Sequence, residues 1–303
     1  MLRAALRDTS ARVAVGADRH GAATAVLRAC AGAIEAPPDV ALLDDGLQHW
    51  RLHRDADVAC VDAVGLWGAG CRVPAGPLRE APPAALRRAA AVVLHNWPLA
   101  TAAQRAAALH ALDAACAPHT LRLYSHLQPL PQLQLHRAAV ARQVGDFGDA
   151  TSFQPAVVPI EALRGAPALA LSGLARPRAL ELQLYALGAA AVASVSVGDH
   201  ERFSRHDLAR AAAAAAELRA RTGAAPWLVI TAKDAARDEE VNEGALAPDA
   251  LRAAGVECAG GAAVVLRGAL RFVRRDMPYE DDVEGAAAMD ALLANLLART
   301  PQS

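Results

Sequence analysis

No two cysteines in this chain stand at a CxxC spacing, no apolar run approaches the length of a bilayer span, and only 4% of the residues are aromatic. Cys30, Cys60, Cys71, Cys116 and Cys258 are odd in number and scattered. That distribution argues against a structural zinc site and for a reducing compartment. The alanine run Ala211 to Ala216 is closed by Arg210 and Glu217 and falls in a helical pattern, so no transmembrane segment is expected. Charge of either sign is not in excess: 31 Lys and Arg stand against 32 Asp and Glu. This balance lacks the basic footprint of a nucleic-acid binder. With so few aromatics, the core must be built from Ala, Val and Leu. The 303 residues exceed what one ordinary core needs, so two domains are expected.

What is present centres on Asp39-Val40-Ala41-Leu42-Leu43-Asp44-Asp45-Gly46-Leu47-Gln48-His49. A short apolar run that ends in turn chemistry suits a buried parallel strand, whose C-terminal edge is where open α/β sheets bind ligands. Asp44 and Asp45 there are placed to hold a hydrated Mg²⁺ on nucleotide phosphates, in the manner of a Walker B strand. Taken alone, Asp-Asp-Gly is better explained by a strand followed by a polar turn. Gln48 and His49 either order the water and phosphate around that site or cap the strand end in solvent. The next apolar run, Val58 to Val61, ends in Asp62. A Gly/Pro-rich loop then leads to Pro74-Ala75-Gly76-Pro77-Leu78-Arg79-Glu80. Glycine between prolines makes a stiff turn that presents Arg79 in one orientation, suited to phosphate contact. The plainer alternative is a surface pair of Arg79 with Glu80. Arg72 is a weaker candidate of the same kind.

DDGLQHWRLHRD, then VDA, then PAGPLRE, in this order, closely resembles the tetraacyldisaccharide 4'-kinases, which phosphorylate a disaccharide lipid precursor of lipid A with ATP. Further pieces fit that resemblance. Gly198-Asp199-His200 follows a strand where the family carries an Asp-His pair, and Thr231-Ala232-Lys233-Asp234-Ala235 resembles its TEKDA. Ser172-Gly173-Leu174-Ala175-Arg176-Pro177 resembles its GIGNP turn. The resemblance implies ATP and Mg²⁺ as cofactors, with Asp44 and Asp45 as metal ligands and Gln48 and His49 near the nucleotide, while Lys233 either reaches the nucleotide or stabilises the domain interface. It also implies catalytic roles for Arg79, which neutralises phosphate charge, and for His200, oriented by Asp199 beside the acceptor hydroxyl. The implied partner is a lipid disaccharide at a membrane surface, which places the protein peripheral to a membrane, on the cytoplasmic face in bacteria or in an organelle.

The chain carries no GxxxxGK[ST]. In the family that phosphate loop, and an acidic residue of a GDEP stretch, lie upstream of the point that matches Met1. The Arg-rich start, Met1 to Arg7, has the look of a transit peptide, yet Leu2 to Arg19 resembles an internal family segment, so the polypeptide is expected to begin inside a domain. Two accounts follow: a piece of a working kinase, or a non-catalytic remnant that binds a sugar lipid or a protein.

Apolar runs alternating with helical patterns predict an α/β protein: a P-loop-type parallel sheet sandwich, incomplete at its N-terminus, joined to a second, smaller α/β/α domain. The expected boundaries are a nucleotide-binding domain over 1–127, a linker over 128–167 and a second domain over 168–303. Expected details include strands at Val13 to Val15 and at Val40, a helix after Asp18, and a capping box formed by Ser204 and Asp207.

Overall fold

Apolar runs of four to six residues become fully covered parallel strands where helices flank them on both sides, and the second half of the chain shows this most plainly. Pro167–Ser172 (β6) is buried at every position. Leu169 and Leu171 join one core with Leu208, Ala211, Ala215 and Leu218, while Ala168 and Ala170 join another with Leu180 and Leu184. Period-two alternation thus feeds two cores from one strand. The structure is a computed structural model that describes residues 6, 9–32, 38–136, 157–198, 201–239 and 244–299.

The described chain is α/β and forms two units, one of residues 1–126 and 270–303, the other of residues 127–269. In the first unit, Val58–Asp62 (β1), Ala91–His95 (β2) and Leu121–Pro129 (β3) are parallel neighbours, in the order β1-β2-β3-β10 with Gly268–Phe272 as β10. Arg19–Gly32 (α1), Pro82–Arg88 (α2), Ala102–Ala115 (α3) and Val283–Arg299 (α8) are its helices. Its core packs Val92, Leu94, Trp97, Leu112 and Tyr124. Thr101 caps α3 through a capping box with Gln104.

The second unit holds a mixed six-stranded sheet, ordered β5-β4-β9-β8-β6-β7. Its strands are Gln132–Leu135 (β4), Val157–Pro159 (β5), β6, Ala191–Ser196 (β7), Trp227–Thr231 (β8) and Ala263–Leu266 (β9). β7, β6, β8 and β9 run parallel, whereas β4 is antiparallel to both β5 and β9. The helices are Pro177–Ala186 (α4), Arg205–Thr222 (α5), Ala232–Glu239 (α6) and Pro248–Ala253 (α7). α5 begins with the expected Ser204–Asp207 capping box and ends at Gly223, whose φ of 75° is left-handed.

Three expectations differ from the structure. Residues 38–43 form no strand, and neither do 13–15. An apolar run becomes a strand only when a neighbouring backbone supplies ladder hydrogen bonds, and none of the described strands lies against 38–43. Val40 and Leu42 accordingly stand in solvent, Leu42 at 89% exposure. The sequence-based boundaries also differ from the observed units. β4 and β5, in the stretch read as a linker, are part of the six-stranded sheet, and residues 270–299 lie with the first unit, where β10 sits beside β3. The Gly145 to Asp149 cluster read as a junction lies outside the described residues.

Candidate functional site

Asp44 and Asp45 occupy a turn rather than a strand end. Both are exposed, and Asp45 takes a left-handed backbone, φ 52°, which Asp tolerates better than most residues. Gly46, buried at the next position, has no room for a side chain: a Cβ would lie 2.6 Å from Leu43 Cδ2. The chain then tightens, with the His49 amide donating to the Gly46 carbonyl and the Trp50 amide to that of Gln48.

The Pro74–Glu80 turn closes on itself. The Val73 amide donates to the Leu78 carbonyl at 2.8 Å and the Gly76 amide to that of Arg72 at 3.0 Å. A Cβ on Gly76 would lie 2.4 Å from the Cys71 carbonyl oxygen, so only glycine fits here. This turn presents Arg79 and Glu80 to different partners. Arg79 Nη1 donates to both carboxylate oxygens of Asp45 at 2.8 Å, in a pair that stays more than half exposed. Glu80 accepts from Arg88 through both oxygens, at 2.7 and 2.5 Å, and from Gln48 Nε2 at 2.7 Å. The simple Arg79–Glu80 surface pair is therefore not what the turn makes.

Two arginines that the sequence does not single out fasten the segment 47–57. Arg88, in the last turn of α2, donates to the Leu47 carbonyl at 3.1 Å and lies 4.7 Å from the centroid of the Trp50 ring. Arg54 donates to the carbonyls of His49 at 2.7 Å and Leu52 at 3.0 Å, and pairs with Asp57 at 2.6 Å. The Arg54–Asp57 pair is local, i,i+3, whereas the carbonyl partners of Arg54 depend on the turn. Arg88 left no local signal, because its partners are 8 and 41 residues away. His49 is half-buried with its Nδ1 unpartnered, and Arg72 is an exposed turn residue.

The Arg88 hydrogen bonds hold the Glu80 carboxyl below its ordinary value of 4.5, against the opposing effect of burial, with Gln48 adding to the lowering. A depressed folded-state value stabilises the fold above the unfolded value and ceases to do so as pH falls through the folded one. Glu80→Gln should therefore be less stable than the parent at pH 7, by about 2 kcal/mol. The gap between the two urea midpoints should begin to close as pH falls below about 4.3, the Glu value in an unfolded chain, and vanish once pH is below the folded value. A gap that stays constant to pH 3 contradicts the assignment.

In the second unit, Lys233 is half-buried in the first turn of α6. Asp234, beside it, is fully buried. Its Oδ1 accepts from the Gly173 amide at 2.9 Å and its Oδ2 from the Thr231 hydroxyl at 2.6 Å, with Arg237 Nη1 at 3.8 Å. Arg237 in turn donates to the Glu201 carbonyl at 2.6 Å. Asp199 and His200 lie outside the described residues. The structure thus brings Asp45, Gln48, Arg79 and Glu80 into one network in the first unit, with Asp44 adjoining it in the chain, and Lys233 belongs to the second.

At the C-terminal ends of β1 and β2, beside the middle of β3, stands a further polar group that sequence reading missed. Asn96, with φ 61°, donates to Asp62 Oδ1 at 3.0 Å, and His95 Nδ1 is 3.1 Å from the buried Ser125 hydroxyl. Burial lowers the His95 pKa from its ordinary value, with Asp62 opposing that shift.

The α/β chain that carries these acidic and basic turns matches a family of kinases. The chain belongs to the tetraacyldisaccharide-1-P 4'-kinase family, LpxK, whose family model matches residues 2–259. It is 40% identical over 199 residues to the tetraacyldisaccharide 4'-kinase of Anaeromyxobacter sp. (strain Fw109-5), covering 66% of this chain and 47% of that one. The enzyme of the same name from Anaeromyxobacter dehalogenans (strain 2CP-C) is 39% identical over 233 residues, covering 76% of this chain and 53% of that one. The chain therefore spans about half the length of the curated relatives it matches. Among solved structures, the "apo" form of LpxK from Aquifex aeolicus in complex with ATP matches with 18% identity and a TM-score of 0.38, covering 84% of this chain and 56% of that one. No helix among the described residues is long and apolar enough to cross a membrane.

Proposed function

We propose that this chain carries the acidic and arginine turns of a kinase that transfers the ATP γ-phosphate to the 4'-hydroxyl of a tetraacyldisaccharide 1-phosphate, in lipid A biosynthesis. The observation that carries this reading is the Arg79–Asp45 pair, which joins the DDG turn to the PAGPLRE turn across 34 residues of sequence. A cation and a carboxylate held in reach of one another, both exposed, suit a site that must handle a phosphate and its metal ion together.

The residues fit the ion the family implies. Mg²⁺ keeps several waters and takes one or two carboxylates with the phosphates rather than an all-protein cage. Asp44 and Asp45 are adjacent and exposed, so both carboxylates are open to such a hydrated ion. Mg²⁺, when bound with ATP, supplies charge neutralisation at the phosphate oxygens, and Asp44 and Asp45 would hold it. Arg79 exchanges Asp45 for phosphate oxygen and offsets the charge that develops during transfer. Gln48, fixed by Glu80, and His49 order the polar surroundings. His200, oriented by Asp199, accepts the proton of the attacking hydroxyl, and Lys233 contacts the nucleotide. Such a transfer also needs backbone amides and a lysine around the β- and γ-phosphates, so the reaction belongs to these turns working together with a phosphate-binding loop. The protein acts at a membrane surface, where its acylated acceptor resides.

The test is ATP consumption by the longest gene product that contains this chain, with and without acylated glucosamine disaccharide 1-phosphate. Acceptor-dependent turnover, with phosphate appearing on the disaccharide, is expected. Turnover that ignores the acceptor, or none, rejects the reading.

A further inference from the structure

Trp50 is 71% exposed, yet it is held in place. Its indole lies over the Arg88 guanidinium at 4.7 Å, and Arg88 is itself immobilised by both Glu80 oxygens and by the carbonyls of Ala84 and Leu47. An indole left in water forgoes the burial that usually rewards so large an apolar surface, and ordered exposed aromatics are characteristic of surfaces that receive something. Resting against a fixed guanidinium also leaves little side-chain freedom to lose on binding.

We infer that Trp50 is a stacking platform for a hexose ring of the acceptor, which makes it a specificity-determining residue. This rests on the kinase reading above and names where the disaccharide sits. Three observations favour a sugar over a nucleobase. The indole belongs to the network that holds the phosphate-handling turns: Arg79 reaches Asp45, the next residue Glu80 reaches Gln48 and Arg88, and Arg88 carries Trp50. An acceptor hydroxyl must meet the γ-phosphate at this end, whereas a base stands a ribose and a triphosphate away. The Glu80 carboxylate balances the Arg88 charge, so the free indole face keeps the electron density that attracts the C–H face of a pyranose. Finally, Gln48, two residues before Trp50 in the chain, has its amide anchored on Glu80, the same carboxylate that holds Arg88, and its carbonyl oxygen is of the kind that accepts from a sugar hydroxyl.

The experiment uses the 303-residue chain and needs no turnover. Glucosamine disaccharide 1-phosphate with short acyl chains is titrated against intrinsic tryptophan fluorescence and acrylamide quenching, and ATP with Mg²⁺ and AMP are run in parallel. Of the four tryptophans, Trp97 is buried and Trp67 and Trp227 are half-buried, so shielding of an exposed indole reports Trp50. The disaccharide should give a saturable blue shift and protection from acrylamide. Trp50→Leu should weaken its binding about tenfold, a large aromatic contact converted to affinity, and Trp50→Tyr should restore most of it. Circular dichroism and thermal midpoints verify that both variants fold. Equal disaccharide affinity in the parent and Trp50→Leu overturns the platform and leaves the kinase reading standing. Shielding of Trp50 by ATP or AMP instead of the disaccharide also overturns it. No disaccharide binding by the parent chain overturns the platform, while the turnover test on the longest gene product decides the kinase reading.

Discussion

Asp45→Ala should lower phosphoryl transfer by about 10²–10³-fold while leaving the fold intact. The two halves of this expectation have separate grounds. Asp45 is more than half exposed and its ion pair with Arg79 lies in water, where such pairs contribute about 0–1 kcal/mol to stability. Its removal should therefore move a thermal midpoint little. In the reaction, the same side chain is assigned to the metal that neutralises phosphate charge. Electrostatic groups aimed at a developing charge are among the largest single contributors to catalysis. Kinetics on the longest gene product, with circular dichroism as the control, separates the two effects. A variant that loses structure, or one that keeps its rate, contradicts this assignment.

The opposite pattern is expected of Asp234→Ala, which should lose about 3–5 kcal/mol of stability, a large part of the ~5–15 kcal/mol that a domain has. Asp234 is fully buried, and its carboxylate takes the Gly173 amide at the end of β6, the Thr231 hydroxyl at the end of β8, and the charge of Arg237. Deleting it leaves the Gly173 amide and the Thr231 hydroxyl without their acceptor and the Arg237 guanidinium without its counter-charge, and the cost of an uncompensated buried charge exceeds that of a lost exposed pair. Asp234→Asn keeps an oxygen for one donor and should lose less. Urea unfolding of both variants checks this: equal midpoints for the parent and Asp234→Ala would place the carboxylate outside the supports of this unit.

The two variants show where the sequence could be read and where it could not. Short apolar runs bounded by turn residues were legible as β1, β2, β6 and β9, because burial on both faces leaves a continuous apolar signature in the chain itself. The cap of α5 was legible for the same local reason: Ser204 and Asp207 lie three residues apart. The run at Val40 to Leu43 carries an identical signature and forms no strand, because pairing depends on a neighbour that no local pattern can supply. In the candidate site, Asp44, Asp45 and Arg79 were legible as residue types suited to phosphate chemistry. The ties that bring them together, Arg79 to Asp45 over 34 residues and Arg88 to Leu47 over 41, belong to the fold and leave no spacing signal. Arg54 binds three backbone carbonyls that no local pattern announces, because a guanidinium's donors are satisfied by any carbonyl that a turn points inward. The return of residues 270–299 to the first unit was invisible for a different reason. A strand's sequence states that it pairs, never with which sheet.

The central claim is that the DDG and PAGPLRE turns act on phosphate as one site. Transfer rates of Asp45→Ala, Arg79→Ala and the double variant, measured on the same acceptor, test it most directly. Groups that act as a unit are not additive, so each single variant should fall by about 10² or more and the double should be only a few-fold slower than the worse single. Full-rate single variants, or losses that multiply in the double, would show that the pair is an ordinary surface contact and that the two turns do not form one site.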